Sequence, residues 1–128
     1  MAKPKILFFD IETSPNLAYV WGKWEQNVIA FKTEWQLLSV AWKWQGDKEI
    51  KVVTTKNQKD DWALSIRLHS LLSTADVIIG HNGDEFDLKK ARARFVAHKL
   101  PPLPPLATVD TLKVAKKYFK FNSNKLED

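Results

Sequence analysis

The chain has no cysteine, four glycines and one methionine among its 128 residues. The absence of cysteine excludes a disulfide scaffold, a Cys-ligated zinc or iron–sulfur site and a thiol nucleophile. The glycines, Gly22, Gly46, Gly80 and Gly83, form no Gly-rich loop able to cradle a phosphate. That leaves a nucleotide-cofactor or other small-ligand α/β domain without its main sequence support. No apolar run approaches ~18 residues, and Met1 to Pro4 lead directly into a short strand-like run, so neither a membrane span nor a signal peptide is read. A soluble cytoplasmic protein is the default. At 45% hydrophobic residues the chain is not of disordered composition. Its length suits one domain over 1–128. Twenty Lys+Arg against 15 Asp+Glu give a net charge of +5, which permits a polyanionic partner without establishing one.

Hydrophobic patterning predicts the order β, ββ, α, β, α, α. Lys5–Glu12 is a short run rich in Ile and Phe, ended by the turn chemistry of Thr13-Ser14-Pro15-Asn16. Trp35–Trp44 alternates, with Leu38, Val40, Trp42 and Trp44 on one face, and is followed by a turn and the strand Glu49–Thr54. Asp60–Ser73 is helical, with Leu64, Leu68, Leu71, Leu72 and Ala75 inward. Asp76–Gly80 is an apolar strand. Residues from Glu85 to about Lys99 form a second helix, with Leu88, Ala91 and Phe95 inward and Lys89, Lys90, Arg92 and Arg94 mostly outward. Leu100–Leu106 is extended because proline disfavours helix in itself and in the residue before it. Asp110 then reads as the N-cap of a helix over Thr111–Lys120. The fold class is α/β: one mixed sheet with flanking helices, in which ligands gather at the carboxyl ends of the central strands.

Two acidic segments fall at such ends. Asp10 and Glu12, one residue apart in a strand, share a face with Ile6 and Phe8. Either a buried row ends there in two acids that need a metal or a partner, or the strand simply emerges into solvent. After the fourth strand comes His81-Asn82-Gly83-Asp84-Glu85-Phe86-Asp87. Acids early in a helix complement its N-terminus, which accounts for Asp84 and Glu85. Asp87 differs, being set between Phe86 and Leu88. Carboxylate ligands of this kind suit Mg²⁺ or Mn²⁺ better than zinc. A pair of such ions is the usual device for phosphodiester hydrolysis.

Phe9-Asp10-Ile11-Glu12-Thr13 resembles the first motif, D-x-E, of the DEDD (DnaQ-like) 3′–5′ exonucleases, a family that includes the proofreading subunits of DNA polymerases and several RNases. His81–Asp87 resembles its second motif, N-x-x-x-F-D, and Val109-Asp110-Thr111-Leu112 a segment that often follows it. The resemblance spans residues 5–120. It implies an RNase H-like fold and a metal-dependent exonuclease acting on DNA or RNA. It implies that Asp10 touches both ions, Glu12 the nucleophile-side ion and Asp87 the other, with Thr13, Asn82 and Phe86 near the substrate.

The family's third motif, Y/H-x-x-x-D, has no counterpart in the sequence; Tyr118 is followed four residues later by Asn122. Asn124-Lys125-Leu126-Glu127 reads as the capping box of another helix, so a C-terminally truncated domain is expected. Three acids of four and no proton acceptor predict weak ion binding and an impaired or inactive isolated chain, completed by a second chain. A non-catalytic remnant that binds nucleic acid or a protein is the alternative. Lys113, Lys116, Lys117 and Lys120 line one side of the third helix, as a solvated face or as a phosphate-backbone track for single-stranded nucleic acid.

Overall fold

The computed structural model describes residues 3–20, 22, 28, 30–55, 60–81 and 87–118, with backbone alone for 31–33. Strand β1 (Ile6–Thr13) is the middle strand of a five-stranded sheet in the order β5-β4-β1-β6-β7. Its neighbour β4 (Leu37–Trp44) runs antiparallel and pairs in turn with β5 (Lys51–Thr54) as a hairpin. On its other side β6 (Val77–Gly80) is parallel, as is β7 (Ala107–Asp110) beyond it. The connections between the parallel strands carry the helices: α1 (Trp62–Thr74) leads into β6, and α2 (Leu88–Ala97) leads towards β7. Helix α3 (Thr111–Tyr118) follows β7 directly. Two further short strands, Leu17–Tyr19 (β2) and Ala30–Thr33 (β3), pair with each other outside the main sheet. The class is therefore α/β with a mixed sheet, compatible with the RNase H-like arrangement expected from the sequence.

The core lies on one face of the sheet. Leu7, Phe9 and Ile11 of β1, Val40 and Trp42 of β4 and Ile78 of β6 are buried beneath α1 and α2. The helices contribute Leu64, Leu68, Leu71 and Leu72, and Leu88, Ala91 and Phe95, the residues that the helical period selects. Each such aliphatic or aromatic side chain contributes roughly 1.5–3 kcal/mol on burial. Leu100, Leu103 and Leu106 of the proline-rich connection pack against this core from the edge.

Two sequence assignments are corrected by the packing. Phe8 is 41% exposed and stands with Asp10 and Glu12 on the face that α1 and α2 do not cover. The buried row of β1 is the opposite one, because Ile11 shares a face with Leu7 and Phe9. In β4 the fully buried leucine is Leu37, and Leu38 is half-buried. The register slips between Glu12 and Thr13, so that Glu12 pairs with Ser39 and Thr13 with Leu37. The extra residue in β4 is a bulge, and it inverts the alternation at that point. Strands β2, β3 and β7 carried no distinct sequence signal, and β7 is a largely exposed edge strand.

Arg94 is the third correction: it points inward. Asp61, fully buried just ahead of α1, accepts hydrogen bonds from Arg94 Nε (2.8 Å) and Nη2 (2.7 Å) and from the Leu37 backbone N–H (2.8 Å). His98 Nε2 lies 2.6 Å from the same carboxylate. Burial alone would raise the Asp61 carboxyl. The bonds from Arg94, Leu37 and His98 outweigh burial and hold it below the ordinary carboxylate range. One carboxylate thus ties the start of β4, the start of α1 and the end of α2. Arg94→Met removes the guanidinium from that buried charge and leaves it to His98 and the Leu37 N–H, and should cost about 3–5 kcal/mol in urea unfolding. The group's depressed pKa places the loss at full size above pH 3.8, the ordinary value, narrowing below it as Asp61 takes up a proton.

Candidate metal centre

β1 delivers Asp10 and Glu12 because a strand alternates. With Ile11 fixed in the core, the residues on either side must face the other way. Both acids are exposed on the open face. Asp87 comes from a different direction, at the residue preceding α2, and is 3% exposed. Its carboxyl is hydrogen-bonded to the Asp10 side chain and accepts the Ile11 backbone N–H. Burial, the Asp10 charge and the Asp110 charge together push Asp87 up to about 7, and the Ile11 N–H only partly offsets them. In its protonated form Asp87 donates to the Asp10 side chain.

Asp110 is the acid that sequence reasoning assigned to capping alone. It does cap α3, accepting the Leu112 backbone N–H at 3.0 Å. It also stands at the carboxyl end of β7, opposite Gly80 of β6, is 4% exposed and acts on Asp87 through its charge. Its position at a strand end was the available signal, but a strand over Ala107–Asp110 was not read.

Asp10 and Asp87 are thus brought together, and Glu12 shares a face and a cavity with Asp10. Thr13 closes β1 at the bulge. Asn82, Phe86 and Lys120 lie outside the described residues. Lys113, Lys116 and Lys117 are exposed on α3, while Leu112 and Ala115 on its opposite side are half-buried. His81, just beyond β6, is held through Nδ1 by Thr111 Oγ1 at 2.9 Å. Both line a cavity of about 580 Å³ that reaches Asp10, with Phe8, Ile50 and Ile79 on its apolar walls.

Asp60, Asp61 and His98 form another donor group, with ligand atoms within 4.8 Å of one another, a spacing that could hold a metal ion. Sequence reasoning did not bring these three together. Both Asp61 oxygens already accept from the Arg94 guanidinium, whose charge opposes a cation there. Asp10 and Asp87 are a second candidate donor pair. Two carboxyls in contact, one of them ionising only with difficulty, are what a divalent cation relieves.

The raised Asp87 value has a defined consequence for stability. A carboxyl that ionises at 3.8 when unfolded and at about 7 when folded favours the fold in its protonated form. That contribution is fully present below pH 3.8, declines as pH rises and is gone above about 7. Across that interval it amounts to about 4 kcal/mol. Asp87→Asn should therefore be more stable than wild type at pH 8, and the gap should close towards pH 4 in thermal unfolding. Millimolar Mn²⁺ should narrow the gap at pH 8 by stabilising the wild type more than the variant.

No protein-family model matches the chain, and no curated protein matches it in sequence. Among solved structures, the family B DNA polymerase from the hyperthermophilic archaeon Pyrobaculum calidifontis is similar, with a TM-score of 0.64 at 16% identity. The match covers 91% of this chain and 16% of the polymerase chain. The likeness is one of fold, shared with a small part of a much longer protein.

Proposed function

We propose that this chain carries the ion-binding half of a metal-dependent 3′–5′ exonuclease acting on nucleic-acid phosphodiesters. The observation that carries the reading is the contact of Asp87 with Asp10, two carboxyls from distant segments, at the carboxyl end of a central strand. The motif resemblance supports it, as does a fold shared with a DNA polymerase, since proofreading subunits of DNA polymerases belong to the family resembled. Asp10 and Asp87 would hold one Mg²⁺ or Mn²⁺ ion, and Asp10 and Glu12 a second. Such ions supply a deprotonated, oriented water and stabilise the departing oxygen.

The chain's own residues divide the remaining work. Asp87 must surrender its proton to act as a ligand, so its protonation opposes loading below neutral pH. Asp110 adds negative charge behind Asp87, which favours a cation over an empty pair. Lys113, Lys116, Lys117 and Lys120 offer phosphate contacts along single-stranded DNA or RNA, and Thr13, Asn82 and Phe86 lie on segments that the resemblance brings near the substrate. The sequence contains no Y/H-x-x-x-D from which to draw the fourth acid and the proton acceptor. A helix bearing that motif, in the same polypeptide or in a second one, is what the site calls for.

Three outcomes test the reading. Millimolar Mn²⁺ binding, followed by water-proton relaxation, should be lost in Asp10→Asn. Changing the four lysines to Gln should lower the slope of log K against log salt for single-stranded oligonucleotides by ~0.7 per phosphate contact removed. Release of 3′ label by the 128-residue chain should be slow, because each missing acid–base group is worth ~10²–10⁴-fold. It should rise when a helix bearing Y/H-x-x-x-D is added or fused, and vanish in Asp10→Ala. Binding of nucleic acid with no metal-dependent release in any of these settings would favour the non-catalytic remnant.

A further inference from the structure

The open face of the sheet changes character row by row across β1, β4 and β5. Phe8 stands opposite Lys43, and Asp10 opposite Ala41, which stands opposite Val52. Glu12 stands opposite Ser39, which stands opposite Thr54. Directly opposed side chains on one face have Cβ atoms about 4.5–5.5 Å apart, so each row is a line of touching groups. Asp10 therefore sits on a boundary. On one side is the apolar cavity walled by Phe8, Ile50 and Ile79. On the other is a cavity of about 520 Å³, shared by Asp10 and Glu12 and lined also by the hydroxyl-bearing residues Ser39, Thr54 and Thr55. The Thr55 hydroxyl leans on the Leu38 carbonyl at 3.5 Å. Ser39 and Thr54 complete the row that starts at Glu12.

We infer that this second cavity is a sugar-reading subsite: Ser39 and Thr54, beside Glu12, recognise the ribose 2′-hydroxyl of a 3′-terminal nucleotide. The inference rests on the exonuclease reading, and deepens it by naming RNA ends as the preferred substrate. A carboxylate accepts only, whereas a serine or threonine hydroxyl both donates and accepts. The 2′-hydroxyl, also donor and acceptor, is the group by which a protein distinguishes RNA from DNA at a given position. The row has no aromatic ring on which a base could stack, and Val52 and Leu38 offer aliphatic surface to the carbon face of a sugar. The regular register of β4 pairs Ser39 with Glu12, so the hydroxyl-bearing residue and the acid stand side by side just before the bulge that turns Leu37 into the core.

The test compares three 5′-fluorescein octamers of one sequence by fluorescence anisotropy in Ca²⁺: all-ribo, all-deoxy, and ribo with a single 2′-deoxy sugar at the 3′ end. The wild-type chain should bind the all-ribo octamer about 5–10-fold more tightly than the one lacking the terminal 2′-hydroxyl, the value of one good hydrogen bond. Ser39→Ala/Thr54→Val should bind those two equally, and Thr54→Val alone should close part of the difference. Equal binding of the two by wild type overturns the subsite, and that measurement needs no variant to fold. Retention of the preference in a folded double variant overturns the assignment to Ser39 and Thr54. Failure of wild type to bind any of the three removes the exonuclease reading beneath it.

Discussion

The strict alternation of β1 is the constraint on which the rest depends. Leu7, Phe9 and Ile11 are buried between the sheet and the two helices, so the intervening side chains have no choice of direction. Asp10 and Glu12 are thereby forced onto the open face, at the end of the strand where β6 and β7 also terminate. A slip of one residue would drive both acids into the apolar core and expose three large apolar groups, at a cost far above the net stability of a domain. The hydrophobic effect fixes the acids with no interaction of their own. Two ladders lock the register of β1, antiparallel to β4 and parallel to β6.

Asp87 is positioned by a different principle. It is carried by a helix, and a helix of ten residues spans about 15 Å, close to rigid. Leu88, Ala91 and Phe95 seat that helix on the core. Arg94 and His98, at its far end, are tied to the buried Asp61. The acid at one end of α2 and the polar knot at the other are thus the two ends of one strut. Arg94 also lies over the Trp35 ring, with Lys90 Nζ 4.2 Å from the same ring, so the outer side of the strut is braced as well.

Much of this was legible in the residues. The leucine spacing of Asp60–Ser73 and the Leu88, Ala91, Phe95 series named the core faces of both helices correctly, because amphipathic periodicity is a local signal. The hairpin was legible for the same reason. The burial of Ile6 and Phe8 was misread because Ile6-Leu7-Phe8-Phe9 is apolar on both sides. Only Ile11, set between the acids, distinguishes the faces. The Leu37–Leu38 inversion comes from a bulge, which two adjacent leucines conceal. Arg94 was placed outward because a cation on a helix is usually solvated. Its partner lies 33 residues away, and nothing in either segment announces that a carboxylate will be buried there. Asp110 was half legible: its capping was read, while its strand, following four prolines, was not.

The two sides of the candidate centre differ in a way that follows from these origins. Asp10 and Glu12 belong to an exposed face and are open to solvent and to ligands. Asp87 and Asp110 are buried and held by backbone N–H groups, Ile11 for one and Leu112 for the other. A site assembled only from exposed acids would bind cations weakly, since water screens them and their side chains move. One assembled only from buried acids would be closed and would take up protons instead. Here the backbone N–H groups fix the inner pair, while the geometry of β1 leaves the outer pair accessible. That division also explains why Asp87 carries the large pKa perturbation: it is the group removed from water and placed against another charge, with the Ile11 N–H offsetting both only in part. On the proposed exonuclease reading, loading of an ion and loss of the Asp87 proton would be one coupled event, its midpoint set by burial and by Asp10.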